Sequence, residues 1–115
     1  MAFGIDRGEL GRWKETVRRG EIAFLTHYWL DERFPFMRTV TKAGCADRDR
    51  LVRWGERYGL DPRFIHSRAE FPHYDLFGAK QIEVLEKEGL MEHLERFGLG
   101  GQGVYANMSQ EERQE

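Results

Sequence analysis

Two histidines, an arginine, two carboxylates and a tyrosine crowd around one proline in His66-Ser67-Arg68-Ala69-Glu70-Phe71-Pro72-His73-Tyr74-Asp75. Histidine titrates near neutrality without a large perturbation, so this segment carries the residue type best suited to general acid-base work. His73 is the first candidate for the acid or base, because Pro72 fixes the backbone before it and a carboxylate close by can orient its ring. His66 and Asp75 are the expected partners. An earlier echo, His27-Tyr28-Trp29-Leu30-Asp31-Glu32-Arg33, offers His27 and Asp31 as a second wall.

A phosphate or other anion needs guanidinium forks, an ammonium, or backbone N–H groups at a helix start. Lys42 with Gly44, ahead of a helix, and Arg68 inside the cluster supply these, and Tyr74 joins them as a ligand-binding candidate. Neither a Walker loop nor a dinucleotide loop is present. The competing reading pairs Arg68 with Glu70 or Asp75 and leaves Lys42 on the surface. His66, Glu70, His73 and Asp75 have the donor atoms for a metal, but no zinc signature and no cysteine pair is matched, so no metal is predicted. Ser67 and Thr41 lack a nucleophile elbow. The lone Cys45 reads as a small buried hydrophobe more than as a nucleophile.

These groups must be held by a frame, and much of it can be read locally. Asp6 with Glu9 three positions on forms a capping box, and Leu10, Trp13 and Val17 then recur on one face until Gly20 ends the helix. The apolar stretch within Glu21 to Tyr28 suits a buried strand that carries His27 to its end. Met37 to Thr41 reads as a second strand running out near Lys42-Ala43-Gly44. Asp47 caps a second helix with Leu51, Trp54 and Tyr58 inward and Gly59-Leu60 as its stop. Asp61-Pro62 begins a tight turn, and Phe64-Ile65-His66 is expected as a short third strand that leads into the cluster. From Gly78 a third helix turns Ala79, Ile82 and Leu85 inward, and Met91, Leu94 and Phe97 mark a last short one.

The predicted fold class is therefore α/β: a small mixed, partly parallel sheet of about three strands covered by helices. Strand two, helix two and strand three would form a right-handed crossover, with Lys42, His66 and His27 gathered at strand ends, where such sheets place their sites. Residues 1–98 are expected as a single globular domain, and 99–115 as a flexible glycine-rich and acidic tail.

The chain has 115 residues, 40% hydrophobic and 33% charged, enough for one core and too apolar for a disordered segment. A net charge of −2 hides an asymmetry: residues 1–68 carry 14 basic against 10 acidic side chains, and residues 69–115 carry 4 against 10. The single cysteine and the lack of a leader-like or membrane-spanning run point to the cytoplasm and away from membranes. Arg50, Arg53 and Arg57 form a stripe on helix two, and with Arg48 and Arg63 they support a rival reading as a non-catalytic nucleic-acid or protein-binding module over residues 48–63. A pI near 6.1 weighs against a nucleic-acid partner.

His27 through Pro35, Thr39-Val40-Thr41-Lys42-Ala43-Gly44-Cys45, and His66 through Gly78 together resemble the YneQ-like small proteins of Bacillus-type bacteria over nearly the whole chain. More loosely, residues 51–81 resemble a bacterial domain of unknown function in Gly59-Leu60, Phe64, Pro72-His73-Tyr74-Asp75 and Lys80. The resemblances imply a small cytosolic bacterial protein and supply neither a reaction nor a cofactor. The residues themselves lead to a polar His/Arg/Asp pocket for a phosphate-containing or other anionic small molecule, with hydrolysis as the reaction class. Oligomeric state is not legible at this level.

Overall fold

The computed structural model describes residues 5–28, 39–67 and 71–99, and the chain divides into two compact units, Met1–Phe77 and Gly78–Glu115. The first unit opens with helix α1, Arg7–Arg18, started by the expected capping box: the Glu9 amide donates to Asp6 Oδ1 at 2.8 Å and the Asp6 amide to Glu9 Oε1 at 3.2 Å. Gly20, at a φ of 82°, takes the left-handed turn that releases the chain. Strand β1, Ala23–Tyr28, pairs antiparallel with β2, Thr39–Gly44. Helix α2, Arg48–Glu56, follows with Asp47 as its N-cap, accepting from the Arg50 amide at 3.1 Å. An Asp61-capped 3-10 turn, Pro62–Phe64, then leads to strand β3, His73–Leu76.

The sheet order is β1-β2-β3 and every pairing is antiparallel, which corrects the expected partly parallel sheet. The third strand is the His73-Tyr74-Asp75-Leu76 segment itself. Phe64 lies in the 3-10 turn, and His66 makes only an isolated antiparallel bridge with His73. The physical reason lies in the order of insertion. His66 runs in the direction of β2, as a crossover requires, but the chain then turns and slots β3 between the two, so each neighbouring pair becomes antiparallel. The alternating burial of β3, with Tyr74 and Leu76 inside and His73 and Asp75 partly exposed, is the period of a half-buried strand.

Alternation along the strands sorts the side chains into two faces. One face carries Ala23, Leu25 and His27 on β1, Val40, Lys42 and Gly44 on β2, and His73 and Asp75 on β3. Helix α1 covers it, burying Trp13 and Val17 against Ala23 and Leu25, with Leu10 and Phe71 at the margin. The Trp13 indole N–H donates to the Ala23 carbonyl at 3.1 Å. The other face carries Phe24, Thr26, Thr41, Ala43, Tyr74 and Leu76 and meets α2, where Trp54 packs against Phe24 and Tyr74 at ring separations of 5.6 and 6.3 Å. The buried Thr26 and Thr41 hydroxyls bond across the strands at 2.7 Å.

Two glycines permit this spacing. A Cβ on Gly44 would stand 2.7 Å from the Trp13 ring, and one on Gly55 would stand 2.8 Å from the Tyr74 hydroxyl. In the second unit, α3 spans Gly78–Lys87 and α4 spans Met91–Arg96. The inward stripe of α3 is Gln81, Val84 and Leu85, so Ala79, expected inside, is exposed and Ile82 is only half-buried. Leu94 and Phe97 are buried as expected, and Met91 is exposed. The expected tail lies outside the described residues apart from Leu99.

The same substitution in two helices should act in opposite directions. Gly11 has nothing within 4 Å of a would-be Cβ, so Gly11→Ala should stabilise by about 0.5–1 kcal/mol through helix propensity. Gly55→Ala should instead cost about 1–3 kcal/mol, because the Tyr74 ring has nowhere to retreat. Urea unfolding midpoints of the two variants check the pair of signs.

Candidate functional site

Strand β3 is short, yet it sets the site. Residues two apart on a strand share a face, so His73 and Asp75 project together, and the β2–β3 register puts Gly44 opposite His73 and Lys42 opposite Asp75. On the other edge His66 pairs with His73, its amide donating to the His73 carbonyl at 2.8 Å and its carbonyl accepting from the His73 amide at 3.0 Å. The two imidazoles stack, 5.2 Å between centroids and 23° between planes. Asp75 bridges them: Oδ2 lies 3.1 Å from His66 Nε2 and Oδ1 lies 3.5 Å from His73 Nε2.

The hydrogen-bond partners fix which nitrogen of each ring carries the proton. His73 Nδ1 lies 2.8 Å from the Phe71 carbonyl, which can only accept, so Nδ1 is the donor and the lone pair of the neutral ring sits on Nε2, toward Asp75. His66 has the opposite arrangement. Its Nε2 donates to the carboxylate, which leaves Nδ1 as the basic nitrogen of a side chain that is 55% exposed, against 24% for Asp75 and 14% for His73. A carboxylate that holds one imidazole nitrogen protonated while the other faces solvent is the arrangement a general base uses: it selects the tautomer and stabilises the imidazolium that forms.

Burial holds the His73 imidazole below its ordinary pKa, opposed by the Phe71 carbonyl and Asp75 and assisted by the charges of Lys42 and His66. The ring is enclosed on one side by Trp13, edge to face at 6.3 Å. His27 is similar. It is 3% exposed, its Nδ1 donates to the Tyr28 carbonyl at 2.9 Å, and its Nε2 is buried without a hydrogen-bond partner among the described residues. Burial lowers its pKa first; the Tyr28 bond and Asp75 act against that, and Lys42 acts with it. Among the described residues Asp75 Oδ1 is the other buried side-chain polar atom on this face without a hydrogen bond.

Of the residues expected at the site, the structure gathers His66, His73 and Asp75 in direct contact and puts Lys42 and His27 on the same sheet face. Tyr74 is not among them. It points to the opposite face, 2% exposed against Trp54 and Gly55, where it is a core side chain. Asp31 and Arg68 lie outside the described residues. Cys45 is fully buried, and burial pushes its thiol up, away from the thiolate. Among the described residues no three His, Cys, Asp or Glu side chains are placed to hold a metal ion, since both Nε2 atoms converge on the carboxylate itself. Arg50, Arg53 and Arg57 sit elsewhere, along an open groove of about 470 Å³ beside α2. Sequence reasoning missed the Phe71 carbonyl, which decides the His73 tautomer, and no residue-type signal could have shown a backbone group.

The lowered His27 and His73 values make stability pH-dependent with a definite sign. Between the ordinary histidine value near 6.5 and the lower native values the unfolded chain binds more protons, so stability is complete above about 6.5 and is lost as pH falls below it. Urea midpoints should drop between about pH 7.5 and about pH 5.5, and His27→Gln and His73→Gln should each make that drop smaller. An unchanged drop in both variants would assign the acid sensitivity to other groups.

One comparison with known proteins shows kinship, and it stops short of chemistry. No family model matches the chain, and no solved structure matches it. Among the described residues no helix is long and apolar enough to cross a membrane. A curated Bacillus subtilis (strain 168) protein, "Uncharacterized protein YneQ", is 64% identical over 99 residues, which cover 86% of this chain and 100% of the relative. With identity at that level across the whole of the relative, this chain belongs to the YneQ-like family of small bacterial proteins.

Proposed function

We propose that the protein binds a phosphate-containing or otherwise anionic small molecule over the His66–Asp75 dyad and hydrolyses it, in the cytoplasm. The observation that carries this reading is the Asp75 carboxylate shared between two stacked imidazoles, which leaves His66 Nδ1 on a largely exposed ring. His66 is then the base. It takes a proton from a water on Nδ1 as the water oxygen attacks the ligand, and Asp75, bonded to the Nε2 proton, stabilises the imidazolium until it returns the proton to the leaving group. The roles drawn from the order of residues are thereby exchanged: His73, more enclosed and tied to Phe71, stacks on the His66 ring and completes the wall.

Lys42, opposite Asp75 on β2, supplies an ammonium for the ligand's negative charge, and Arg68, two residues after His66, adds a guanidinium fork. His27 and Asp31 form the far side of the site in this reading. The lone, buried Cys45 is in keeping with a cytoplasmic setting.

A panel of phosphate monoesters, diesters and anhydrides and of carboxylic esters, followed by phosphorus NMR and by release of a chromophore, tests the proposal. One class should be turned over. Loss of a positioned base typically costs about 10²–10⁴-fold, so His66→Gln and Asp75→Asn should each fall by about that factor and His73→Gln by less. No turnover across the panel, or a His66→Gln variant as active as the parent chain, would sink it.

A further inference from the structure

A separate feature of the first unit has the make-up of a binding site. Between α2 and the segment that joins α1 to β1 runs an open groove of about 470 Å³, lined by Glu21, Ile22, Arg50, Arg53, Trp54 and Arg57. It brings three guanidinium groups and one carboxylate against an apolar wall of Ile22 and Trp54. The three arginines recur at i, i+3 and i+7, one stripe spanning about 10 Å of helix axis. Their stripe is the surface of α2, whose inward side chains Leu51 and Trp54 are buried.

The arginines are unequally engaged. Arg50 is held in place, its Nη1 donating to the Gly20 carbonyl at 2.7 Å, and Arg57 lies 5.9 Å over the Tyr58 ring. Glu21 already pairs with Arg19 at 3.1 Å, so the one carboxylate in the groove is partly neutralised from outside it. Arg53, in the middle of the stripe, makes no hydrogen bond, ion pair or ring contact with the described residues. A central guanidinium left to solvent between two anchored ones is a place where an incoming anion gains charge-assisted, two-pronged hydrogen bonds without first breaking an internal pair.

Size and charge narrow the ligand. A volume near 470 Å³ falls within the range of small-molecule clefts, roughly 300–1,000 Å³. A polynucleotide would need a basic surface beyond the groove, whereas the whole chain has a pI near 6.1 and Asp49 and Glu56 flank the stripe on α2. From these observations we infer that the groove is a second ligand site, taking a small phosphorylated molecule with its phosphates on Arg50, Arg53 and Arg57 and its apolar body along Ile22 and Trp54. It uses none of the residues of the His66–Asp75 dyad.

Proton–nitrogen correlation spectra of the full chain, titrated with inorganic pyrophosphate and with adenosine diphosphate, test this. The backbone amides of Glu21, Ile22 and Arg50 through Arg57 should shift, and the diphosphate nucleoside should bind more tightly than pyrophosphate because it also covers the apolar wall. Arg53→Glu should weaken both by about tenfold or more, with Arg53→Gln as the milder variant. Three results would overturn the inference: no shifts up to about 10 mM of either probe, shifts centred on His66, His73 and Asp75, or tighter and steeply salt-dependent binding of an oligouridylate. The second of these would move the anion to the dyad and support the proposed function; the third would make the groove a nucleic-acid surface.

Discussion

The register between β2 and β3 is the constraint on which the rest depends. With Gly44 opposite His73 and Lys42 opposite Asp75, one face of a four-residue strand presents two titratable groups and the other presents Tyr74 and Leu76 to the core. A slip of a single residue would exchange the faces, burying the histidine and the aspartate under α2 and turning the tyrosine outward. Two features oppose that slip. Gly55 accepts the Tyr74 ring against α2, and Gly44 leaves room for the Pro72 carbonyl at the start of β3, which accepts from the Cys45 amide at 3.1 Å.

The site places its charge where the fold can tolerate it. Asp75 is partly enclosed, and its oxygens face two imidazole nitrogens and, across the sheet, a lysine. Burial disfavours a charged His73, so the enclosed ring is the one held to its neutral form beside the carboxylate. The enclosed histidine is fixed by the Phe71 carbonyl, while the exposed one sets its Nε2 against the carboxylate. The difference between two similar side chains follows from their depth together with their hydrogen-bond partners.

Most of the frame was legible because its signals are local. The Asp6–Glu9 box, the Asp47 cap, the buried Leu51, Trp54 and Tyr58, and the turn at Asp61-Pro62 each rest on a few neighbouring residues. What failed to show were long-range choices. His73 to Leu76 alternates as a strand should, but its crowd of polar groups read as a loop, and nothing in Phe64-Ile65-His66 reveals that a later segment will slot in beside β2. The cluster itself was readable down to His66, His73 and Asp75. Their division of roles was not, because tautomers depend on partners such as the Phe71 carbonyl, and Tyr74 was misplaced because face assignment requires the register.

The claim at the centre of the account is that Asp75 and Phe71 impose opposite tautomers on two stacked histidines. Long-range proton–nitrogen NMR of the imidazole rings measures this directly. The account predicts that neutral His66 carries its proton on Nε2 and neutral His73 on Nδ1. The same tautomer on both rings, or an averaged mixture at His66 unaffected by Asp75→Asn, would contradict it.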